Sequence, residues 1–285
     1  MSHFSVAGLQ LEISNQDNLS MICDEIDAVV RRFPWLDMVF VGELATYGAS
    51  AARAQPAGGV AEQAYREVAA RNNIWLIPGS LYESEGENVY NTLPVINPAG
   101  EIVTRYRKVF PFAPYEAETT PGDGFVVFDV PDVGRIGVCI CYDIWFPEVA
   151  RSLVHMGAEA IICPTMTNTI DRDVEVCLSR SLTAVNQCYF FGLNVAGRLG
   201  VGRSIAVGPD ADVIYEAGSG HEVITVDMDF ERVRRSRERG VLGLCQTLKS
   251  FRDNKVSFPA YETGSGGSDA FDALGRLVVP ARKLD

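Results

Sequence analysis

Apolar residues recur along this chain in two rhythms, short continuous runs and longer stretches at helical spacing. Phe4 to Leu11 reads as a strand, Asn15 to Phe33 as a helix, and Asp37 to Leu44 as a second strand that is nearly all apolar. Strand, helix, strand opens an α/β protein. A helix at about Ala61–Arg71 precedes the strand Ile74–Leu81, and the strands Val89–Ile96 and Ile102–Arg107 flank Asn97-Pro98-Ala99-Gly100, which is hairpin turn chemistry. Val126–Val130 and Arg135–Cys141 follow as strands, then a helix to about Gly157, the strand Ala160–Cys163, a helix at about Asp173–Val185 and the strand Cys188–Val195. Hairpins built from Ser204–Val207, Val213–Glu216 and Glu222–Asp227 lead into an arginine-rich helix.

Helical crossovers combined with hairpins imply mixed sheets, and runs this continuously apolar imply burial on both faces. The expected architecture is an α/β, four-layer α-β-β-α sandwich. Residues 1–262 form its single domain. Gly264-Ser265-Gly266-Gly267-Ser268 marks a flexible joint, so residues 263–285 are expected to be a tail that packs on the body or on a neighbour.

The 285 residues, 47% of them hydrophobic, are ample for a large core, and a net charge of −12 argues against nucleic acid or an acidic membrane surface as a partner. Arg232, Arg234, Arg235, Arg237 and Arg239 are interleaved with Glu231 and Glu238, the pattern of a solvated or interfacial helix face. Seven scattered cysteines form no disulfide framework and suit a reducing cytoplasm. The N-terminal residues lack the pattern of a secretory leader and no apolar stretch is long enough to span a membrane, so a cytoplasmic location is expected.

Cys141 closes a buried strand and is followed, after a turn, by a helix, so its side chain projects from the rim of a sheet. A thiol needs a base, most often histidine. His3 lies at the N-terminus, His155 within a helix and His221 behind Gly218-Ser219-Gly220, none of them at a strand end, so a carboxylate is the expected base. Glu43 ends the run Met38–Glu43 and Lys108 ends another strand. Alone, each is an ordinary strand-end charge. Together, a Glu, a Lys and a Cys at strand ends, where open α/β sheets gather their sites, make an acyl-transfer set of base, oxyanion cation and nucleophile. Cys139 and Cys141 fall on one face of a strand, but a zinc site takes about four ligands and no second close pair exists. No metal or other cofactor is expected. The run Gly197–Gly202 precedes a strand and lacks the Lys-Ser or Lys-Thr of a phosphate loop.

With these residues in place the chain resembles the nitrilase, or carbon-nitrogen hydrolase, superfamily over roughly Phe4 to Asp253. Gly42-Glu43-Leu44, Tyr106-Arg107-Lys108 and Cys141-Tyr142-Asp143 with Phe146-Pro147-Glu148 occur in the family order, and Asn91-Thr92, Pro121-Gly122-Asp123, Ala184–Tyr189 and Gly208-Pro209-Asp210 add to them. The resemblance implies an αββα fold with Glu43 as base, Lys108 as oxyanion lysine and Cys141 as nucleophile. It places a second glutamate at Glu116, with Glu118 a near alternative, and a substrate pocket at Tyr47, Tyr115, Tyr142, Trp145 and residues after Pro164. The eight-residue step from Lys108 to Glu116 is similar to that of the aliphatic-amidase branch, and Cys141-Tyr142-Asp143-Ile144 departs from the Cys-Trp-Glu-Asn of true nitrilases. A hydrolase of small carboxamides, with water as co-substrate, is therefore expected. An N-carbamoyl amine hydrolase, an acyl transferase to amines and a catalytically silent binding member are the alternatives. The resemblance also implies a homodimer or larger even assembly.

Overall fold

The computed structural model describes residues 3–113, 115–262 and 269–278. Along the chain β1 (His3–Gln10), α1 (Leu19–Arg32), β2 (Met38–Val41), α2 (Val60–Asn72) and β3 (Trp75–Ile77) alternate as two crossovers. The hairpin strands β4 (Leu81–Glu85), β5 (Asn88–Ile96) and β6 (Ile102–Arg107) follow, then β7 (Val126–Val130) and β8 (Gly134–Val138). Next come α3 (Pro147–His155), β9 (Ala160–Thr165), α4 (Arg172–Asn186) and β10 (Tyr189–Asn194). The chain continues with β11 (Ile205–Val207), β12 (Val213–Glu216), β13 (Glu222–Asp229), α5 (Phe230–Arg239) and α6 (Thr247–Asp253).

One sheet runs β13-β1-β2-β3-β5-β4 with β6 on β5, and the other runs β12-β11-β10-β9-β8-β7. Both are mixed: β1, β2 and β3 are parallel, as are β8, β9 and β10, and the outer pairings are antiparallel. Alternation along each strand builds the layers. Phe4 and Val6 of β1 and Met38 and Phe40 of β2 join the core shared with the second sheet, whereas Ala7, Leu9, Val39 and Val41 point outward onto α1 and α2. Phe40 meets Phe191 edge-on at 5.5 Å and Trp75 stacks on Phe128 at 5.5 Å, locking sheet to sheet. Ile22, Ile26 and Val29 supply the buried stripe of α1. Each such side chain contributes about 1.5–3 kcal/mol on burial. The expected α-β-β-α sandwich is therefore what forms.

The strand expected over Ile74–Leu81 is broken. Pro78 has no amide to donate and Gly79 takes φ +80°, so β3 stops at Ile77 and the chain turns into β4. A Cβ on Gly79 would sit 1.9 Å from the Gly42 carbonyl oxygen, so only glycine lets this turn pass beneath the end of β2. The expected strand Arg135–Cys141 also ends early, at Val138, because the Ile140 amide donates to the Asp143 carboxylate and not to a neighbouring strand. The joint Gly264–Ser268 lies outside the described residues, as does most of the expected tail.

Candidate active site

Glu43 stands just beyond β2, where its amide donates at 3.3 Å to the Thr165 carbonyl of the second sheet. Strand ends of the two sheets meet here, and the side chain turns into the seam. The Glu43 carboxylate is 3% exposed; Oε1 accepts from Lys108 Nζ at 2.9 Å and from Asn91 Nδ2 at 2.9 Å, and Oε2 accepts from the Met166 amide at 2.9 Å. Lys108 follows β6 and keeps the ladder going by donating its amide to the Asn91 carbonyl at 2.9 Å. Its ammonium, 1% exposed, also donates to Glu116 Oε2 at 2.8 Å. Glu116 is held in turn by the Phe112 amide at 2.5 Å, Asn91 Nδ2 at 3.3 Å and Tyr82 Oη at 3.4 Å. Glu118 is exposed.

Cys141 opens a 3₁₀ turn, Cys141–Trp145, with φ +46°, a left-handed conformation that costs a non-glycine residue on the order of 1–3 kcal/mol. Asp143 holds the turn. Buried completely, its carboxylate accepts from the Ile140 amide at 2.8 Å, the Phe110 amide at 3.0 Å and Tyr106 Oη at 2.7 Å. Cys139, expected on the same face as Cys141, instead lies in the core between the sheets, hydrogen-bonded to Cys163, while the turn aims Cys141 elsewhere.

Cys141 lines a cavity of about 530 Å³. Tyr115, Tyr142 and Trp145 line it too, as expected, together with Phe112, whose ring lies 5.1 Å from Tyr115 and 4.9 Å from Tyr142. Tyr47 does not: its hydroxyl accepts from Gln55 Nε2 at 2.9 Å beside a separate depression with Gln16 and Arg53. Thr167, Asp171 and Glu175 also line the Cys141 cavity. Thr167 Oγ1 lies 3.9 Å from the Cys141 sulfur and donates to Glu175 Oε1 at 3.0 Å. Arg172 donates to Glu175 Oε2 at 2.9 Å and, with its other nitrogen, to the Gly192 and Arg203 carbonyls at 3.0 Å.

This second group was missed in the sequence, although a signal existed. Arg172, Glu175, Ser179 and Asn186 occupy the inward stripe of α4, a polar run at helical spacing where apolar residues belong.

Burial dominates the electrostatics. It pushes Glu43 above the usual 4.5, helped by the Glu116 charge and opposed by Lys108 and a hydrogen bond from the Cys141 thiol. Burial and the Glu43 charge also push the Cys141 thiol well up, against the pull of Lys108, so the cysteine rests protonated. Desolvation disfavours the Lys108 ammonium, yet Glu43, Cys141 and Glu116 outweigh it and keep the charge on. Glu116 is held below its usual range despite its burial, by Lys108 first and then by the Phe112 and Asn91 donors.

The site thus pairs a protonated thiol with a buried base and a permanent cation. Among the described residues no group of three or more His, Cys, Asp or Glu side chains is arranged to hold a metal ion. Of the arginine-rich helix, Arg232, Arg234 and Arg235 are paired with Asp210, Asp212, Glu159, Glu231 and Asp229, and Arg237 donates to backbone carbonyls. No helix among the described residues is long and apolar enough to cross a membrane.

Comparison with known proteins places these features in a family. The carbon-nitrogen hydrolase family model matches residues 5–238. The omega-amidase NIT2 of Homo sapiens is 29% identical over 258 residues, covering 84% of this chain and 93% of that protein. A formamidase from Helicobacter acinonychis is 28% identical over 210 residues, covering 68% of this chain and 63% of the relative. In structure, Saccharomyces cerevisiae Nit3, a member of branch 10 of the nitrilase superfamily, is similar with a TM-score of 0.76 at 28% identity, over 83% of this chain and 94% of Nit3.

Proposed function

Since the chain belongs to the carbon-nitrogen hydrolase family and is an amidase acting on bonds other than peptide bonds, we propose that it hydrolyses small carboxamides to a carboxylic acid and ammonia through a thioester on Cys141. The observation that carries this reading is the Lys108 ammonium held between Glu43 and Glu116, with the Cys141 thiol against the same Glu43 carboxylate.

Glu43 removes the thiol proton as the sulfur attacks the amide carbon, and the oxyanion is met by Lys108 Nζ and the Tyr142 backbone N–H. Collapse breaks the C–N bond, and Glu43 returns its proton to the departing nitrogen, releasing ammonia. Water then gives a proton to Glu43 and adds to the thioester carbon. Loss of the thiolate yields the acid, and the thiolate recovers that proton. One carboxylate serves as base and acid in alternate halves of the cycle. A pKa raised above the usual carboxylate range suits both duties. Glu116 orients Lys108, and Asp143 positions the nucleophile turn without touching substrate.

The cavity's aromatic wall and its volume of about 530 Å³ suit a small acyl group. The free state of all seven cysteines fits a reducing cytoplasm. Exposed Met156 just after α3, Val185 on α4, Phe251 on α6 and Phe258 beyond it favour self-association as a homodimer or larger even oligomer. The catalytic unit is the domain spanning residues 1–262.

The test is ammonia release from formamide, acetamide, propionamide, glutamine-type amides, N-carbamoyl amines and nitriles, with Cys141→Ala as the blank. Turnover of simple amides by the unmodified enzyme alone supports the reading. Turnover confined to N-carbamoyl amines would replace it with the carbamoylase alternative, and no turnover of any of these would favour a binding role.

A further inference from the structure

Charge is unevenly distributed around the nucleophile's cavity. Glu43 and Glu116, which do not themselves line it, share one cation, Lys108, next to the nucleophile. Glu175 and Asp171 line the space, and among the described residues no lysine or arginine does. Arg172 is paired with Glu175, but the pair is oriented: the carboxylate fronts the cavity, and the guanidinium lies behind it, 1% exposed, with its second nitrogen on the carbonyls of Gly192 and Arg203. Arg203 is itself paired with Asp173 and Glu216, and Arg198, the neighbour of the lining residue Leu199, is exposed to solvent. Counting formal charges, Glu43, Glu116, Glu175 and Asp171 stand against Lys108 and Arg172, which leaves the site two negative charges in excess.

The rest of the lining adds to this bias. Tyr115, Phe112, Tyr142 and Trp145, in that order, form a row of rings whose successive centroids lie 5.1, 4.9 and 6.4 Å apart. Aromatic faces attract cations and offer nothing to a carboxylate. An anionic acyl chain would have to shed water into a low-dielectric pocket that already carries surplus negative charge, whereas an ammonium would meet Glu175, Asp171 and ring faces.

We propose that the preferred substrate is a carboxamide whose acyl chain ends in a protonated amine, with Glu175 and Asp171 as the residues that select it. This rests on the amidase reading above and narrows it. The reacting amide sits at Cys141, over Glu43 and Lys108, and the chain runs across the aromatic wall to the two carboxylates. No step of the reaction changes. Glu175 has a further duty, since it holds Thr167 Oγ1 near the Cys141 sulfur. Asp171 is free of that duty, which makes it the cleaner probe.

The test compares primary amides of equal chain length that end in a methyl group, an ammonium or a carboxylate, such as pentanamide, 4-aminobutanamide and succinamic acid. The purified full chain is assayed by ammonia release, with Asp171→Asn and Glu175→Gln alongside. The expected order of kcat/KM is ammonium above methyl above carboxylate, with about tenfold at each step. Asp171→Asn narrows the ammonium-to-methyl ratio at least threefold, and Glu175→Gln narrows it further while also lowering turnover of all three. A carboxylate-ended amide that equals or exceeds its ammonium counterpart overturns the proposal and leaves the amidase reading standing. So does an ammonium preference that Asp171→Asn leaves untouched in a folded, active variant. If none of the three amides is hydrolysed, acetamide decides: its turnover keeps the amidase reading and overturns this inference alone, and its inertness removes both.

Discussion

Glu43 Oε1 accepts a 2.9 Å hydrogen bond from Lys108 Nζ across 65 residues of sequence, inside a seam that water scarcely reaches. The pair is tied to both sheets, since Glu43 also takes the Met166 amide just past β9, and Lys108 rests on the Asn91 carbonyl of β5. Burying three charges together is costly unless each is matched. Here one ammonium serves two carboxylates, and Asn91 bridges the carboxylates with a neutral amide. The site therefore depends on every member being present.

Lys108→Ala is expected to abolish turnover and to destabilise the fold by about 3–5 kcal/mol, because it leaves Glu43 and Glu116 facing one another unpaired. Lys108→Arg keeps the charge but not the length, so it should recover much of the stability and little of the activity. Urea unfolding beside steady-state kinetics separates the two effects. Full stability in Lys108→Ala would show that the buried network carries none of the folding free energy assigned to it.

Cys141→Ala is expected to remove both turnover and iodoacetamide labelling of the active thiol, while Cys139→Ala retains most of the turnover. The difference lies in place: Cys141 lines the cavity, and Cys139, 2% exposed, is packed between the sheets against Cys163. Mass spectrometry of the labelled protein checks the assignment, and the reverse outcome would refute it.

How much of this was legible in the sequence differed between strands and turns. The continuous apolar runs of β1 and β2 reveal that both faces are buried, but not which residues face the second sheet and which face the helices, because alternation is lost from the sequence where both faces are apolar. Glu43, Lys108 and Cys141 could be picked out because each stands where an apolar run stops. The turn geometry was not legible. Cys141 adopts φ +46° because Asp143 captures the Ile140 amide, a contact that exists only once Tyr106 and Phe110 have closed over the same carboxylate. Nor does a single sequence show that the seam is shared: Glu43 donates to Thr165 across sheets that become neighbours only in the folded chain. Tyr47 illustrates the converse, an aromatic residue close to Glu43 in sequence whose side chain leaves in another direction to meet Gln55.

The acid limb of kcat/KM is expected above the ordinary carboxylate value of 4.5, because burial and then the Glu116 charge hold the proton on Glu43. The base works only when ionised, so a raised pKa moves the loss of activity to higher pH. Glu116→Gln removes one of the two raising influences and should shift the limb downward, while kcat falls because Lys108 loses an anchor. A limb that stays in place in Glu116→Gln would remove the Glu43–Glu116 coupling from the explanation.

Asp143 should leave a signature in stability. Burial pushes its carboxyl up from 3.8 to about 6, against the donors from Ile140, Tyr106 and Phe110. Between those two values the folded state holds a proton that the unfolded state has released, so this group's contribution is full below the unfolded pKa and is lost as pH rises toward 6. Glu116, held low, has the opposite slope, so the informative quantity is the difference between the parent protein and Asp143→Asn. The variant should lose the downward slope and cost about 1–3 kcal/mol at neutral pH, because an amide cannot accept from all the donors the carboxylate serves. Its cysteine should alkylate more slowly as the turn loosens. Identical pH slopes in the two proteins would show that Asp143 titrates normally.

Substrate choice separates the amidase reading from its neighbours in the superfamily. Only seven residues separate Lys108 from Glu116, and the Phe112 amide in that step is already committed to the Glu116 carboxylate, so little chain remains to build a deep lid. The lining offers aromatic faces and the carboxylates of Glu175 and Asp171, a surface fitted to a short amide and poorly matched to the carboxylate of an N-carbamoyl amino acid. Short amides are therefore expected to show higher kcat/KM than matched nitriles or N-carbamoyl amino acids. A preference in kcat/KM reports the steps up to loss of the first leaving group, and only substrates with the same acyl group, such as an amide and its ester, go on to share one thioester and its rate of hydrolysis. Hydroxylamine trapping would then give one partition ratio for an amide and an ester sharing an acyl group, while their kcat/KM values differ. N-carbamoyl amines turned over at least tenfold better than any simple amide would move the assignment to the carbamoylase alternative, with the same cysteine, lysine and glutamates performing the chemistry.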